Sequence, residues 1–170
     1  MPCTRRTDRS AVRRPNIGSA PARMPLRLHL LRHGQTPASR ANVFCGRGLD
    51  PDLTPDGAAM ADAFAHFHHA VLGTRWRAVY ASPLRRTRAT AAPGADNPAA
   101  DADVLVVSHK ATIRVALCGL LGVDVGRFRF RFACPTGSVS VVEFGPHGPM
   151  ALSVADRAHL DARLRGLPGT

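Results

Sequence analysis

The sequence predicts a single α/β domain of three layers, in which helices flank a mostly parallel β-sheet. From Leu26 onward, short apolar runs typical of buried strands alternate with helical patterns, which is the order of an α/β domain. The chain has 170 residues, 45% of them hydrophobic, which suffices for one core. The stretch 82–103 contains 22 residues, enough for a crossover between parallel strands.

The first strand and helix are predicted from local patterns. Residues 28–31 form an apolar run that ends in a loop beginning at Arg32. Residues 54–56 indicate a helix start, with a capping hydroxyl, a proline at the first position and an acid in the first turn. We expect this helix to continue to about Leu72 and to end at Gly73. Its apolar stripe consists of Met60, Phe64, Phe67 and Val71.

The remaining elements follow the same alternation. Strands are predicted at 78–81, 104–107 and 138–144, and a turn at 145–149 leads to a partner strand at 150–154. One helix is expected from Ser82 to about Ala91, a second from His109 to Gly122, and a short one over 158–164. The inward face of the second helix contains Ile113, Leu117, Leu120 and Leu121.

The domain is expected to span residues 25–165, between a basic leader at 1–24 and a tail at 166–170. Residues 1–23 contribute +5 of the net charge of +11 and show little apolar periodicity, so we interpret them as disordered. They lack the apolar core of a secretory signal. We favour a misassigned start, with Met24 as the effective beginning, over an organelle transit peptide.

Composition also restricts the compartment and the partners. No apolar run approaches the roughly 18 residues of a membrane span, so no membrane partner is expected. The four cysteines show neither a C-x-x-C pair nor zinc spacing with histidine, so we expect reduced thiols, no metal and a cytoplasmic protein. Cys118 lies in an apolar run and is assigned to the core.

Each of the three parallel strands is followed by cationic or imidazole residues. The first strand ends in Arg32 and His33, the second leads through Ser82 to Arg86, and the third ends at His109. Ligands in such sheets bind beyond the carboxyl ends of the strands. The sequence therefore predicts an anion site at this edge.

The motifs at these positions resemble those of the histidine phosphatase (phosphoglycerate mutase-like) superfamily. The resemblance covers roughly residues 26–160 and keeps the order of the motifs. Its strongest parts are L-R-H-G-Q-T at 31–36, D-L-T-P-D-G at 52–57, S-P-L-R-R-T at 82–87 and V-S-H at 107–109, with N-V-F-C-G at 42–46. The implied fold is phosphoglycerate mutase-like.

The resemblance implies a phosphatase that works through a covalent phosphohistidine. His33 would be the nucleophile, and Arg32, Arg86 and His109 would clamp the phosphate, whose oxygens remain charged throughout the reaction. No cofactor or metal is implied. The substrate is expected to be a small phosphorylated molecule, contacted by Ser39, Thr36, Cys45 and Gly46.

Other charged residues receive a structural interpretation. We assign His66, His68 and His69 to a solvated helix face rather than to a metal site. Arg85 and Arg88 are expected to be solvated or to touch outer parts of the substrate. Lys110 stands where the family often has glycine, and it reaches either the substrate or solvent.

The family's catalytic acid is missing from its usual place. Only 22 residues separate Arg86 from His109, and none of them is Glu. The only Glu in the chain, Glu143, lies beyond His109. One hypothesis is that an aspartate of the shortened connection replaces the acid, the candidates being Asp96, Asp101 and Asp103.

Three functions remain open at this stage. The preferred one is phosphomonoester hydrolysis, with activity reduced by the missing segment. The second is a degenerate family member that binds phosphorylated ligands with little or no turnover. The third, nucleic-acid binding, rests on net charge alone and is disfavoured because much of the excess lies in residues 1–23. The substrate's identity and the oligomeric state are not predicted.

Overall fold

The protein is built on a five-stranded sheet in the order β2-β3-β1-β4-β5. The structure, a computed structural model, describes residues 25–43, 48–95 and 103–169. The strands are β1 (Leu26–Arg32), β2 (Ala78–Ala81), β3 (Asp103–Ser108), β4 (Val139–Gly145) and β5 (Gly148–Asp156). The predicted leader at 1–24 lies outside the described residues.

Four of the five strands run in the same direction, which confirms the mostly parallel sheet. Strand β3 pairs in parallel with both β1 and β2, whereas β4 is antiparallel to β1 and to β5. The register places Arg32 opposite Ser108 and Ala81 opposite Val107. The carboxyl ends of the three parallel strands therefore lie level at one edge.

Helices cover both faces of the sheet. They are α1 (Pro37–Arg40), α2 (Pro55–His66), α3 (Arg85–Ala91), α4 (Lys110–Leu120), α5 (Phe128–Arg131) and α6 (Ala162–Arg165). Short 3-10 turns at Ala92–Gly94 and Val125–Arg127 follow α3 and precede α5. No described helix is long and apolar enough to cross a membrane.

Two apolar clusters lie on opposite faces because neighbouring residues of β1 point in opposite directions. Leu31 belongs to the cluster that contains Phe64 of α2 and Trp76. Leu30 belongs to the cluster that contains Ile113, Leu117 and Cys134, on the α4 side. This arrangement confirms the three-layer α/β domain. Cys118 is fully buried, as expected.

The α2 segment ends at Gly73 as predicted, but its last turn differs from a regular α-helix. The helix continues as a π-helical turn, Phe67–Val71, and the chain then reverses at Gly73, whose φ is +64°. A π turn is wider than an α turn and shifts the faces that follow. Val71 is therefore 60% exposed although it was assigned to the apolar stripe, and His68 is 5% exposed although it was assigned to the solvated face.

Candidate functional site

The structure brings His33 and His109 together at the carboxyl edge of the sheet. The backbone N–H of His33 donates to the Ser108 carbonyl at 3.1 Å, so the loop after β1 continues beside the end of β3. The two imidazole rings lie 5.4 Å apart, centroid to centroid, at 61°. The Ser82 backbone N–H donates to the Val107 carbonyl oxygen at 3.1 Å, which brings the end of β2 to the same edge.

His33 is held as a neutral imidazole with one defined tautomer. Its Nδ1 lies 2.8 Å from the Gly34 carbonyl oxygen, which can only accept, so Nδ1 carries the proton and Nε2 keeps its lone pair. Burial lowers the pKa of His33 to about 3, and the charges of Arg32 and Arg86 act in the same direction. A neutral Nε2 is the form that a nucleophile requires.

Arg32 is buried at the end of β1. One of its terminal nitrogens, Nη1, donates to the carbonyl oxygens of Cys134 at 2.6 Å and Gly169 at 2.9 Å. Burial lowers its pKa to about 10, so the guanidinium remains charged at neutral pH. Its Nε is buried without a partner among the described residues.

Arg86, rather than Arg85, is the buried arginine of α3. Its Nη1 donates to Asp50 Oδ1 at 3.2 Å and to the Leu49 carbonyl at 3.3 Å, and it is 5% exposed. The Asp50 carboxylate also accepts the backbone N–H of Arg85, at 3.0 and 2.9 Å, and so caps a helix that has no side-chain cap of its own. The Arg85 side chain pairs with exposed Asp52.

His109 stands at the start of α4 and faces Ser82. Its Nε2 lies 2.9 Å from Ser82 Oγ, and its Nδ1 is buried without a partner among the described residues. Burial and then the charges of Arg86 and Arg32 lower its pKa, while Asp50 opposes them. Ser82 was not predicted as a site residue, although its position at the end of β2 was available from the sequence.

Three buried nitrogens in this region lack partners within the described part of the chain: Arg32 Nε, Arg86 Nε and His109 Nδ1. Buried donors are costly when they remain unpaired, by roughly 1–3 kcal/mol each. An anion with several acceptor oxygens would satisfy such donors together. No group of three or more His, Cys, Asp or Glu among the described residues could hold a metal ion.

The amino-acid sequence matches one known family of proteins. Residues 28–99 and 95–157 match the sequence model of the histidine phosphatase superfamily (branch 1). The chain belongs to the histidine phosphatase superfamily. Among curated proteins, none matches this sequence.

Solved structures of similar fold include other phosphatases. A phosphoserine phosphatase from Entamoeba histolytica, in complex with 3-phosphoglyceric acid, is 20% identical, with a TM-score of 0.69 over 80% of this chain and 100% of that one. The α-ribazole phosphatase from Shigella flexneri is 15% identical, with a TM-score of 0.65 over 78% of this chain and 98% of that one. At these identities the likeness establishes the phosphoglycerate mutase-like fold.

In this histidine phosphatase, the motif at 31–36 after β1 is hydrogen-bonded to the motif at 52–57 at the start of α2. The Thr54 backbone N–H donates to the Gln35 carbonyl at 2.9 Å, and Thr54 Oγ1 donates to Gln35 Oε1 at 3.1 Å. The same hydroxyl accepts the Gly57 N–H and caps α2. The L-T-P-D-G segment therefore fixes the loop that carries His33.

The residues predicted to contact substrate have different surroundings. The hydroxyls of Thr36 and Ser39 each accept the other's backbone N–H, at 3.1 and 2.9 Å, in a capping box at the start of α1. Both are buried beside the site loop, and their contact with substrate remains a prediction. Cys45 and Gly46 lie outside the described residues.

Neither Asp103 nor Glu143 reaches the site. Asp103 begins β3, opposite Arg27, and its carboxylate pairs with His29 Nε2 at 2.7 Å. The hypothesis that Asp103 replaces the acid is therefore wrong, because Asp103 and Ser108 are the opposite ends of the six-residue strand β3. Glu143 pairs with Arg27 at the same remote end. Asp96 and Asp101 lie outside the described residues.

Proposed function

We propose that this chain hydrolyses phosphomonoesters through a covalent phosphohistidine on His33. The observation that carries the proposal is the hydrogen bond from Nδ1 to the Gly34 carbonyl, which leaves Nε2 unprotonated beside two buried arginines. The superfamily match supports the phosphatase class.

The proposed reaction has two steps. The Nε2 lone pair of His33 attacks phosphorus, a P–N bond forms, and the P–O bond to the leaving group breaks with its electron pair on oxygen. Water then attacks phosphorus, the P–N bond breaks, and the water proton passes to solvent. Arg32, Arg86 and His109 hold the phosphoryl oxygens in both steps, and the fixed cations stabilise their charge.

The leaving group decides the rate because the described site offers no acid suited to protonate it. The Asp50 carboxylate, which pairs with Arg86, is already engaged by the Arg86 side chain and by the backbone N–H of Arg85. General acid catalysis typically contributes about 10²–10⁴-fold. We therefore expect aryl phosphates, whose phenoxides leave unprotonated, to react much faster than alkyl phosphates.

A second candidate function is phosphate-ligand binding with little turnover. Two other observations favour it: buried nitrogens of the clamp have no partner among the described residues, and the described site lacks a free acid. It predicts that phosphate binds to the folded chain and that neither class of ester is hydrolysed.

The test compares phenyl phosphate with ethyl phosphate for the wild type, His33→Ala and His66→Ala. His66 is an exposed histidine on α2 and serves as the matched control. Phenyl phosphate turnover that is lost only in His33→Ala, together with a phosphorylated protein in rapidly quenched reactions, supports the proposal. Turnover that persists in folded His33→Ala overturns it. A folded wild type that binds phosphate but hydrolyses neither ester supports the second candidate.

A further inference from the structure

The first two turns of α4 carry two cations near the phosphate clamp. Lys110 is the first residue of α4, immediately after His109, and it is the only lysine of the chain. Arg114 lies four residues later, on the same face of the helix. Like charges at this spacing oppose helix formation, so the pair disfavours the fold unless an anion is near.

No acid among the described residues pairs with either cation. The ion pairs of that part of the chain involve Arg27, His29, Arg85, Arg86 and Arg163, and none includes Lys110 or Arg114. Arg114 Nε is buried and has no hydrogen-bond partner there. Both side chains are only partly exposed. Within the described ranges, the charges of Lys110 and Arg114 are therefore not compensated by an ion pair.

This cluster adjoins the clamp through Arg32. Arg32 Nη1 donates to the Cys134 carbonyl, and Cys134 belongs to the same buried apolar cluster as Ile113 and Leu117 of α4, the helix that carries Lys110 and Arg114. Burial and then the charges of Arg32 and Arg114 lower the pKa of Lys110, and burial, with a smaller contribution from the charge of Arg114, lowers the pKa of Arg32. The three cations thus border one region, on the α4 side of His33.

We propose that Lys110 and Arg114 form a second anion-binding subsite, so that the preferred substrates are phosphomonoesters with a second anionic group. The substrate phosphate would occupy the Arg32–Arg86–His109 clamp, and the second anion would lie over the first turn of α4. A carboxylate or a second phosphate satisfies the same donors. This inference rests on the proposed function, which assigns the phosphate clamp to Arg32, Arg86 and His109. Of the two expectations for Lys110, contact with substrate or with solvent, it selects contact with substrate.

The test measures binding of phosphonates, which are not hydrolysed, by calorimetry. 3-Phosphonopropionate is compared with 3-phosphonopropionamide, in which a neutral amide replaces the carboxylate, and with 1,3-propanebisphosphonate. The wild type should bind at least one of the two doubly anionic ligands about 10-fold more tightly than the amide, as expected for a charge-assisted contact. Which of the two is preferred identifies the anion.

The variants are Lys110→Met, Lys110→Arg, Arg114→Met and the control Arg77→Met. Arg77 is an exposed arginine at the other end of the sheet, so the control removes the same charge at a distance. Lys110→Met should abolish the preference, while Lys110→Arg and Arg77→Met retain it. Equal binding of all three ligands by the wild type overturns the inference. A preference for the doubly anionic ligands that survives in folded Lys110→Met also overturns it, and so does a preference that is lost equally in Arg77→Met.

Turnover separates this inference from the proposed function. A wild type that prefers the doubly anionic phosphonates but does not hydrolyse phenyl phosphate supports the subsite and argues against the enzyme. A wild type that hydrolyses phenyl phosphate but binds all three phosphonates equally supports the enzyme and overturns the subsite. Failure to bind any phosphonate overturns the subsite together with the clamp.

Discussion

Gly34 and Gly57 pack backbone against backbone, with no room for a side chain on either residue. A Cβ on Gly34 would overlap the Gly57 carbonyl, and a Cβ on Gly57 would overlap the Gln35 carbonyl. This contact, together with the Thr54 hydrogen bonds, joins the loop after β1 to the start of α2. The position of His33 therefore depends on a glycine 24 residues away in sequence.

Gly57→Ala should destabilise the protein and displace the His33 loop. The overlap is with backbone atoms that cannot rotate away, and overpacking of this kind costs about 1–3 kcal/mol. We expect a lower free energy of unfolding in urea and a fall in kcat/KM for phenyl phosphate. Gly119→Ala is the control, since its site is open and alanine favours helix by up to about 1 kcal/mol. Wild-type stability in Gly57→Ala would contradict the packing argument.

His68→Phe should make stability less sensitive to acid. Burial lowers the pKa of His68 to about 3 from 6.5, so the unfolded chain binds a proton between those pH values that the folded chain does not. The contribution of His68 to the free energy of unfolding is complete above pH 6.5. It decreases by about 1.4 kcal/mol per pH unit as the pH falls from 6.5 towards 3. Phenylalanine cannot titrate and can pack against Phe64 and Trp76 in its place.

The measurement is the free energy of unfolding at several pH values from 4 to 7. The slope should be shallower in His68→Phe by about 1.4 kcal/mol per pH unit. His66→Phe is the matched control on the same helix, and because His66 is exposed we expect the wild-type slope. Equal slopes in the wild type and His68→Phe would show that His68 does not resist protonation in the fold.

The sequence predicted the grouping of the site residues but not the details that depend on packing. Strand ends that share one edge are a consequence of parallel order, so Arg32, His33 and His109 could be placed together before any coordinates. His68 could not be placed correctly, because the π turn that rotates it inward leaves no mark in residue periodicity. Asp103 was proposed from its position in the shortened connection, but it begins β3 and therefore lies at the end of the sheet away from the site.

Asp50→Asn should strengthen phosphate binding. The Asp50 carboxylate engages Arg86 Nη1 and places a negative charge beside the clamp. Asparagine can still accept the Arg85 N–H, so the helix cap remains while the charge is lost. An ion pair of this partly exposed kind is worth about 0.2–1 kcal/mol, so we expect affinity for inorganic phosphate to rise by at most about fivefold.

Calorimetric titration with inorganic phosphate at low salt checks this prediction. Asp52→Asn is the matched control, because within the described part of the chain Asp52 pairs only with the exposed side chain of Arg85, and the Asp52 side chain is itself 63% exposed. We expect its affinity to stay close to that of the wild type. Weaker phosphate binding in Asp50→Asn would mean that the carboxylate acts mainly to orient Arg86.

A chain that ends at Leu167 should be less stable than one that ends at Gly169. The Pro168 carbonyl accepts from Gln35 Nε2 at 2.8 Å, and the Gly169 carbonyl accepts from Arg32 Nη1 at 2.9 Å. Gln35 is fully buried and Arg32 is 5% exposed, so each loses an acceptor that solvent replaces poorly. A buried donor left unpaired costs about 1–3 kcal/mol. Urea denaturation should show that loss of stability for the chain ending at Leu167. The chain ending at Gly169 retains both acceptors and should keep the wild-type midpoint. Equal midpoints for the two truncated chains would mean that the tail does not hold Arg32.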